Sequence, residues 1–528
     1  MYRVFVADKL AAEGIAALTE YDELVVDFAP GLTVEDAIGH ARNADAIIVR
    51  SATKIRGELL KACEKLKVVG RAGIGVDNID IARATERGIV VLNTPDANAT
   101  TTAELAIAHI FSLSRHLPNA DRSVRAGEWT PAKFLGSELA GKTVGIVGFG
   151  TIGRLVAERC LGLKMRVTAY DPFVTESTFA EHGVEAQTLD KLLGEADYVT
   201  LHCPVTDETK GLLGVGRLAL MKSGARLINC ARGGLVDESA LFDALVSGKL
   251  AGAALDVFEH EPPVGSPLLG QPNVFFTPHL GASTQEAQTA VGVQIAHQIA
   301  AYLIRGEVVN AINLPSIEPE KLNRLAPYLQ LARKLGKLLC LMSEGPLSEL
   351  SVGLYGRAAE LDSHIIANEA LIGLLQDHLS VPVNQVNAGH LARRQGIKIT
   401  ELSAAESRDY LAVVQVSGVT AMGTLCLEGT LFDERHPRLV RVNNYIIESE
   451  LEGQILMTRH ADRPGVIGAI GELLGRAGIN ITRMQVGVAS DDKTSAIAVV
   501  GISNELSEAT MESLAEIDAI DKVLQVKF

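Results

Sequence analysis

Residues 144–153 read VGIVGFGTIG, with Gly148, Gly150 and Gly153 in G-x-G-x-x-G spacing. Ahead of the glycines, VGIV has the apolar pattern of a buried strand, and behind them IGRLVAERC has helical periodicity. A strand–turn–helix of this kind needs each glycine for a different reason. Gly148 allows the tight turn, Gly150 lets a pyrophosphate approach the backbone, and Gly153 lets the helix pack on the strand. The pyrophosphate then rests at the positive end of the helix. MRVTAYD ends the next strand at Asp171, 18 residues past Gly153, where an acid accepts from ribose hydroxyls and repels a 2′-phosphate. Pro172 and Phe173 follow, with no arginine to welcome that phosphate, so the expected cofactor is NAD.

The strand–helix alternation runs outward in both directions. Upstream, RVFVAD (Arg3–Asp8), ELVVDF (Glu23–Phe28), AIIV (Ala46–Val49), KVVGRA (Lys67–Ala72) and IVVLN (Ile89–Asn93) read as strands. Helical stretches containing Ala11–Leu18, Val34–Ala41 and Ile79–Ala84 separate them, which predicts βαβ units and a parallel sheet. A helix is expected from Thr101 to about Leu117, before a loop holding the only tryptophan, Trp129. The second alternating block ends near VFFTPHL (Val274–Leu280). Ser283 to about Leu303 is then helical and too long for another repeat, so it can carry the chain back to the first block. LPSIEPE, after Asn313, has the proline and charge content of a linker. Beyond it come a helix at Ile365–Leu379 and strand-like LAVVQVSG and GTLCLEGTLF. From about Gly453 the order is β-α-β-β-α-β, a ferredoxin-like arrangement.

At roughly 150 residues per domain, a chain of 528 residues predicts three or four domains. Its formal charge of −15 argues against nucleic acid and anionic membrane surfaces as partners. The six cysteines form no CxxC pair or Cys/His knuckle, so neither a structural zinc site nor a disulfide framework is expected. The N-terminus lacks a long apolar region and no stretch of 18 apolar residues occurs, which predicts a cytoplasmic, non-membrane protein.

Three further strand ends carry polar residues that packing does not explain. NCARGG brings Arg232, DVFEHEPP brings Asp256 and Glu261, and TPHLGAS brings His279. In open parallel sheets, ligands bind outside the carboxyl ends of the strands, so all point to one crevice. Hydride transfer to or from a hydroxyl carbon requires a group that moves the hydroxyl proton, and His279 suits that role. Glu261 is the candidate to hold its tautomer, and Arg232 the candidate to clamp a substrate carboxylate. Thr151, Ile152, Cys203 and Asp256 complete the candidate cofactor set.

Together these motifs resemble the D-2-hydroxyacid dehydrogenase family, in its long form with two added C-terminal domains. IVRSATKI, GRAGIGVDNID, NTPDANATTTAEL, NCARGGLVDE and PHLGASTQEAQ carry the likeness along the chain. The resemblance implies a Rossmann-type nucleotide domain, residues 98–280, inserted in a flavodoxin-like substrate domain formed by residues 1–97 and a return segment, 281–313. An α+β intervening domain, 314–452, and a ferredoxin-like ACT domain, 453–528, follow. It also implies NAD-dependent oxidation of 3-phosphoglycerate to 3-phosphohydroxypyruvate, the first step of the phosphorylated route to L-serine. A homotetramer is expected on the same ground.

An acidic protein that binds such an acid needs a basic pocket. Arg50 with Ser51, Arg71 and Lys133 match positions the family uses near substrate. Gly73 and Gly75 can let backbone N–H groups reach the carboxylate, and Asn98 can help align the acid. In the ACT segment, His460, Asp462 and Asn480 match positions that bind the amino acid in serine-inhibited relatives, so L-serine is the expected effector. In the intervening segment Arg438 and Arg441 are candidates for an anionic effector, although Glu448, Glu450 and Glu452 follow where positive charge would be wanted. Two other functions compete. A broad dehydrogenase of glycerate, lactate or 2-hydroxyglutarate type would keep Arg232, Glu261 and His279 without needing Arg50, Arg71 and Lys133. An NAD-sensing binding protein would tolerate loss of the His–Glu pair, which is intact.

Overall fold

The computed structural model describes residues 1–95, 97–314, 319–379, 381–407, 409–491 and 493–528. Residues 315–318 of the expected LPSIEPE linker and Asp96 of NTPDANATTTAEL lie outside the described residues. The chain divides into two compact units. One comprises Met1–Lys54, Gly70–Asn78 and Leu92–Asn310; the other comprises Ile55–Val69, Ile79–Val91 and Ala311–Phe528.

The expected N-terminal strands form a five-stranded sheet: β1 (Tyr2–Val6), β2 (Leu24–Phe28), β3 (Ala46–Val49), β4 (Val68–Arg71) and β5 (Val90–Leu92). Its order, β2-β1-β3-β4-β5, is the flavodoxin-like one. Every residue of β3 is buried, as a strand covered on both faces by helices requires. The return helix Gln285–Ala300 packs on the first helix, Ala12–Thr19, where Gly14 meets Gly292. A Cβ on Gly14 would come 2.8 Å from the Gly292 carbonyl carbon, so this crossing depends on the missing side chain.

The second sheet holds β6 (Thr143–Val147), β7 (Arg166–Tyr170), β8 (Glu185–Ala186), β9 (Tyr198–Leu201), β10 (Ala225–Asn229), β11 (Leu250–Leu255) and β12 (Val274–Phe276). All its pairings are parallel and the order is β12-β11-β10-β9-β6-β7-β8. The order reverses between β6 and β9, and the VGIVGFGTIG turn leaves β6 at that switch point. The expected helix from Thr101 runs instead from Ala99 to Arg115, where left-handed His116 (φ 54°) ends it and a second helix, Leu117–Arg125, begins.

In the second unit, a mixed sheet holds β13 (Leu347–Gly356), β14 (Lys398–Ala404), β15 (Ala412–Thr420), β16 (Gly423–Phe432), β17 (His436–Val442) and β18 (Tyr445–Glu450). Two helices, Pro319–Met342 and Ser363–Leu375, supply its core. They cross closely because Gly336 faces the Ala370 carbonyl and Gly373 faces the Arg333 carbonyl, and a Cβ at either would come within about 2 Å of the oxygen. The C-terminal segment forms β19 (Gln454–Ala461), β20 (Ile481–Val488), β21 (Ser495–Ile502) and β22 (Ile520–Lys527) in the order β20-β21-β19-β22, with helices Val466–Arg476 and Glu508–Ala515. That is the ferredoxin-like arrangement expected from the sequence. Among the described residues no helix is long and apolar enough to cross a membrane.

Candidate active site

The three glycines after β6 occupy three different environments. Gly148 has φ 96°, and a Cβ there would lie 2.6 Å from the His202 carbonyl. Nothing stands within 4 Å of a Cβ at Gly150, the open approach that a pyrophosphate requires. A Cβ at Gly153 would meet the Gly148 carbonyl oxygen at 2.2 Å, so this glycine holds helix to turn. The helix Thr151–Gly162, opened by Thr151 and Ile152, has no side-chain cap, leaving its first N–H groups for an anion. Asp171, just past β7, accepts from the N–H of Phe149 at 2.8 Å and of Phe173 at 2.9 Å. A carboxylate with two oxygens still has acceptor capacity for ribose hydroxyls. Past β9, burial pushes His202 down to about 4 and the Cys203 thiol up to about 11, so both stand neutral beside the loop. These features fit NAD.

His279, in the loop after β12, has φ 55° and its Nδ1 lies 2.8 Å from Glu261 Oε2. The other Glu261 oxygen accepts from the N–H of Phe258 at 3.2 Å. A carboxylate only accepts, so Nδ1 carries the hydrogen and Nε2 is left to exchange protons. The hydrogen bond to Glu261 raises the His279 pKa above its ordinary value, against the opposing effect of burial. For Glu261, burial works upward, but the hydrogen bond and charge of His279, the N–H of Phe258 and the charge of Arg232 together hold the carboxyl below its usual range. Asp256, after β11, is fully buried and accepts from the Thr277 hydroxyl and from the N–H groups of Leu280 and Gly281.

Arg71, Arg50 and Arg232 form a second group. Burial, reinforced by repulsion from Arg232 and Arg50, pushes the Arg71 guanidinium down to about 10. Its buried Nε has no partner among the described residues. Arg232 donates from Nε to Asp77 at 3.2 Å and from Nη1 to its neighbour's carbonyl, that of Ala231, at 2.7 Å. Gly73 and Gly75 lie against two of these guanidinium groups. A Cβ on Gly73 would come 1.7 Å from Arg71 Nη1, and one on Gly75 would come 1.9 Å from Arg232 Nη2. The glycines therefore clear room for guanidinium groups. Asn98 is 5% exposed and precedes the helix Ala99–Arg115 without capping it; its Oδ1 is buried with no partner among the described residues. Ser51 is exposed beside Arg50. Lys133 is exposed on the single turn Pro131–Phe134, and its side chain makes no hydrogen bond or ion pair among the described residues.

Several participants were not singled out from sequence. Asp8, 5% exposed, accepts from the N–H of Arg50 at 2.6 Å and from the hydroxyl of Thr53 at 2.6 Å. Asn78 donates to the carbonyls of Arg50 and Thr53, so the two side chains pin the Arg50 loop from both sides. Asp8 ends the strand-like RVFVAD, and an acid at that place was the available signal.

In the second unit, His460 on β19 is 3% exposed and its Nε2 has no partner among the described residues, whereas Asp462 and Asn480 are exposed. The anion-binding expectation for Arg438 and Arg441 meets a different arrangement. Arg438 pairs with Glu450 at 2.8 Å, and Arg441 with Glu428 at 3.0 Å and Asp409 at 3.1 Å. Carboxylates of the chain itself already hold both arginines.

Three family models match. Residues 107–281 match the D-isomer specific 2-hydroxyacid dehydrogenase NAD binding domain, 324–443 the D-3-phosphoglycerate dehydrogenase intervening domain, and 454–518 the ACT domain. The D-3-phosphoglycerate dehydrogenase of Bacillus subtilis (strain 168) is 40% identical over 523 residues, 99% of each chain. That of Methanocaldococcus jannaschii is 39% identical over 525 residues, again 99% of each. Among solved structures, a glyoxylate reductase from Paecilomyes thermophila has a TM-score of 0.55 at 30% identity, covering 61% of this chain and 99% of that one. The D-lactate dehydrogenase of Aquifex aeolicus, complexed with NAD and lactic acid, has a TM-score of 0.52 at 29% identity, covering 60% of this chain and all of that one.

Proposed function

The chain belongs to the D-3-phosphoglycerate dehydrogenase family, and on that premise we propose how its site carries out the NAD-dependent oxidation of 3-phosphoglycerate to 3-phosphohydroxypyruvate. The observation that carries the proposal is the buried Arg71 guanidinium, which both Arg232 and Arg50 repel, a repulsion that an anionic substrate relieves. Arg232 clamps the carboxylate with its planar fork, Arg50 and Arg71 take the phosphate, and Ser51, Gly75 and Asn98 line the same pocket. Lys133 belongs to the substrate set on family resemblance alone.

His279 accepts the proton of the C2 hydroxyl on Nε2, and Glu261 stabilises the imidazolium so formed. Gly148, Gly150, Thr151, Ile152, Gly153, Asp171, Cys203 and Asp256 would hold NAD, which would supply the acceptor for the hydride leaving C2. The O–H and C–H bonds are broken, a carbonyl forms, and His279 returns its proton to solvent. This reaction opens the phosphorylated route to L-serine.

The ACT domain fits regulation by L-serine, and we assign the effector to His460, Asp462 and Asn480. The unpartnered Nε2 of buried His460 supports that assignment, since a buried polar atom without a partner is costly. The five-segment domain division, a homotetrameric assembly and a cytoplasmic location complete the proposal. The test is NADH formation with 3-phosphoglycerate and with D-glycerate, each with and without L-serine, with the ketoacid trapped. Strong preference for the phosphate ester, with the activity inhibited by serine, is the expected result; equal use of D-glycerate overturns the phosphate assignment.

A further inference from the structure

We propose that His109, buried on the helix Ala99–Arg115, is a positioning residue for proton transfer: acting through Thr277 and Asp256, it sets the backbone loop that carries His279. The inference rests on the reading of His279 as the base. The helix face around it is apolar, with Ala103, Ala106, Ile110 and Leu113 buried. A histidine that is 4% exposed there requires a polar reason. Burial lowers its pKa, so it stands as neutral imidazole.

The hydrogen bonds around it have a definite direction. Thr277 Oγ1 lies 2.5 Å from Asp256 Oδ1, and a carboxylate can only accept, so the single hydroxyl hydrogen points to Asp256. His109 Nε2 lies 3.1 Å from the same Oγ1. The hydroxyl must therefore accept there, and Nε2 carries the ring hydrogen. The chain runs from His109 to Thr277 to Asp256.

Asp256 is where this chain reaches the site. Its Oδ1 accepts from the N–H of Leu280 at 2.7 Å and its Oδ2 from that of Gly281 at 2.8 Å. Its backbone carbonyl accepts from the N–H of His279 at 2.9 Å. Three consecutive N–H groups thus hang on one buried aspartate. They hold His279 at φ 55°, a left-handed conformation that a non-glycine residue keeps only when its surroundings impose it. The same helix supplies a second hold, for Thr102 donates to the Gly281 carbonyl at 2.7 Å. Without the hydroxyl between them, His109 Nε2–H loses its acceptor and Asp256 Oδ1 keeps only the N–H of Leu280, so the loop loses its registration against Glu261.

The test compares His109→Leu and Thr277→Val with the conservative His109→Gln and Thr277→Ser in the full-length protein. It measures kcat, the KM for 3-phosphoglycerate and the thermal midpoint. The apolar variants should lower kcat by roughly ten- to a hundredfold, as a small misplacement of a reacting group does. The KM should stay within about threefold, because the arginine pocket is untouched. Glutamine and serine, which restore the donor and the hydroxyl, should recover most of the loss. Thr277→Val is nearly isosteric and gives the answer if His109→Leu fails to fold. The inference is overturned if the apolar variants keep kcat within about twofold, if the conservative pair loses as much, or if the loss only tracks the unfolded fraction. A wild-type chain inactive in both directions would overturn the dehydrogenase reading itself and this inference with it; an active wild type with indifferent variants would overturn this inference alone.

Discussion

Gly75→Ala isolates the placement of one guanidinium. The backbone at Gly75 is not left-handed, so alanine is conformationally acceptable there. The new Cβ would, however, lie 1.9 Å from Arg232 Nη2 and 2.8 Å from Asp77 Oδ2. Reaching an ordinary contact of about 3.4 Å moves that nitrogen by about 1.5 Å, and the yielding atom is the end of a flexible side chain. The fold should survive while the carboxylate clamp is displaced. A misplacement of about 1 Å costs on the order of a hundredfold, so kcat/KM for 3-phosphoglycerate should fall roughly a hundredfold, about 2.7 kcal/mol. NAD affinity, followed by fluorescence titration, should not change, because the glycine turn after β6 is a separate site. The assay is initial-rate NADH formation with the ketoacid trapped. A variant within about threefold of wild type in kcat/KM would refute the claim that Gly75 exists to admit Arg232.

Three further outcomes are expected. Glu261→Gln removes the carboxylate that raises the His279 pKa, so the imidazolium is less favoured and the neutral base persists to lower pH. The acidic limb of the kcat profile for oxidation should move downward while the plateau drops, and an unmoved limb would contradict the pair. Asp171→Ser removes the charge that repels a 2′-phosphate while keeping an acceptor, so the NADP-to-NAD ratio of kcat/KM should rise at least about tenfold; competing-cofactor kinetics would expose a failure. Glu450→Gln strips the shared partner from Arg438 and Arg483, at 2.8 and 2.7 Å, which joins β18 to β20. With the carboxylate 37% exposed, the loss should be about 1–2 kcal/mol in urea unfolding, and no change would mean that solvent screens both pairs.

Features written in local sequence were legible. The spacing of Gly148, Gly150 and Gly153 dictates a turn whose three positions have separate demands, and the structure assigns those demands to the same residues. Arg232, Glu261 and His279 were visible because each follows a strand end with no apolar reason to be there. What escaped is set by long-range pairing. Asp8 reaches Arg50 across 42 residues and His109 reaches Thr277 across 168, separations that no periodicity encodes. Gly75 was read as freeing its own N–H, and its missing side chain also leaves space for a side chain 157 positions away, which no local pattern encodes. The helix Pro319–Met342 was also missed, although Leu331, Leu335, Leu338 and Leu339 are spaced for one face. Pro327 and Gly336 look like breakers, yet Gly336 serves the close crossing with the neighbouring helix. The six-residue helix Gly57–Ala62 is too short to show a period.

The most direct test of the account is the specificity ratio, kcat/KM for 3-phosphoglycerate over that for D-glycerate, in wild type and in Arg50→Gln. If Arg50 holds the phosphate, the variant should lose at least about tenfold on the ester, the contribution of a charge-assisted contact, and little on D-glycerate, so the ratio collapses. An equal fall on both substrates would contradict it, placing Arg50 in the support of the loop rather than on the phosphate.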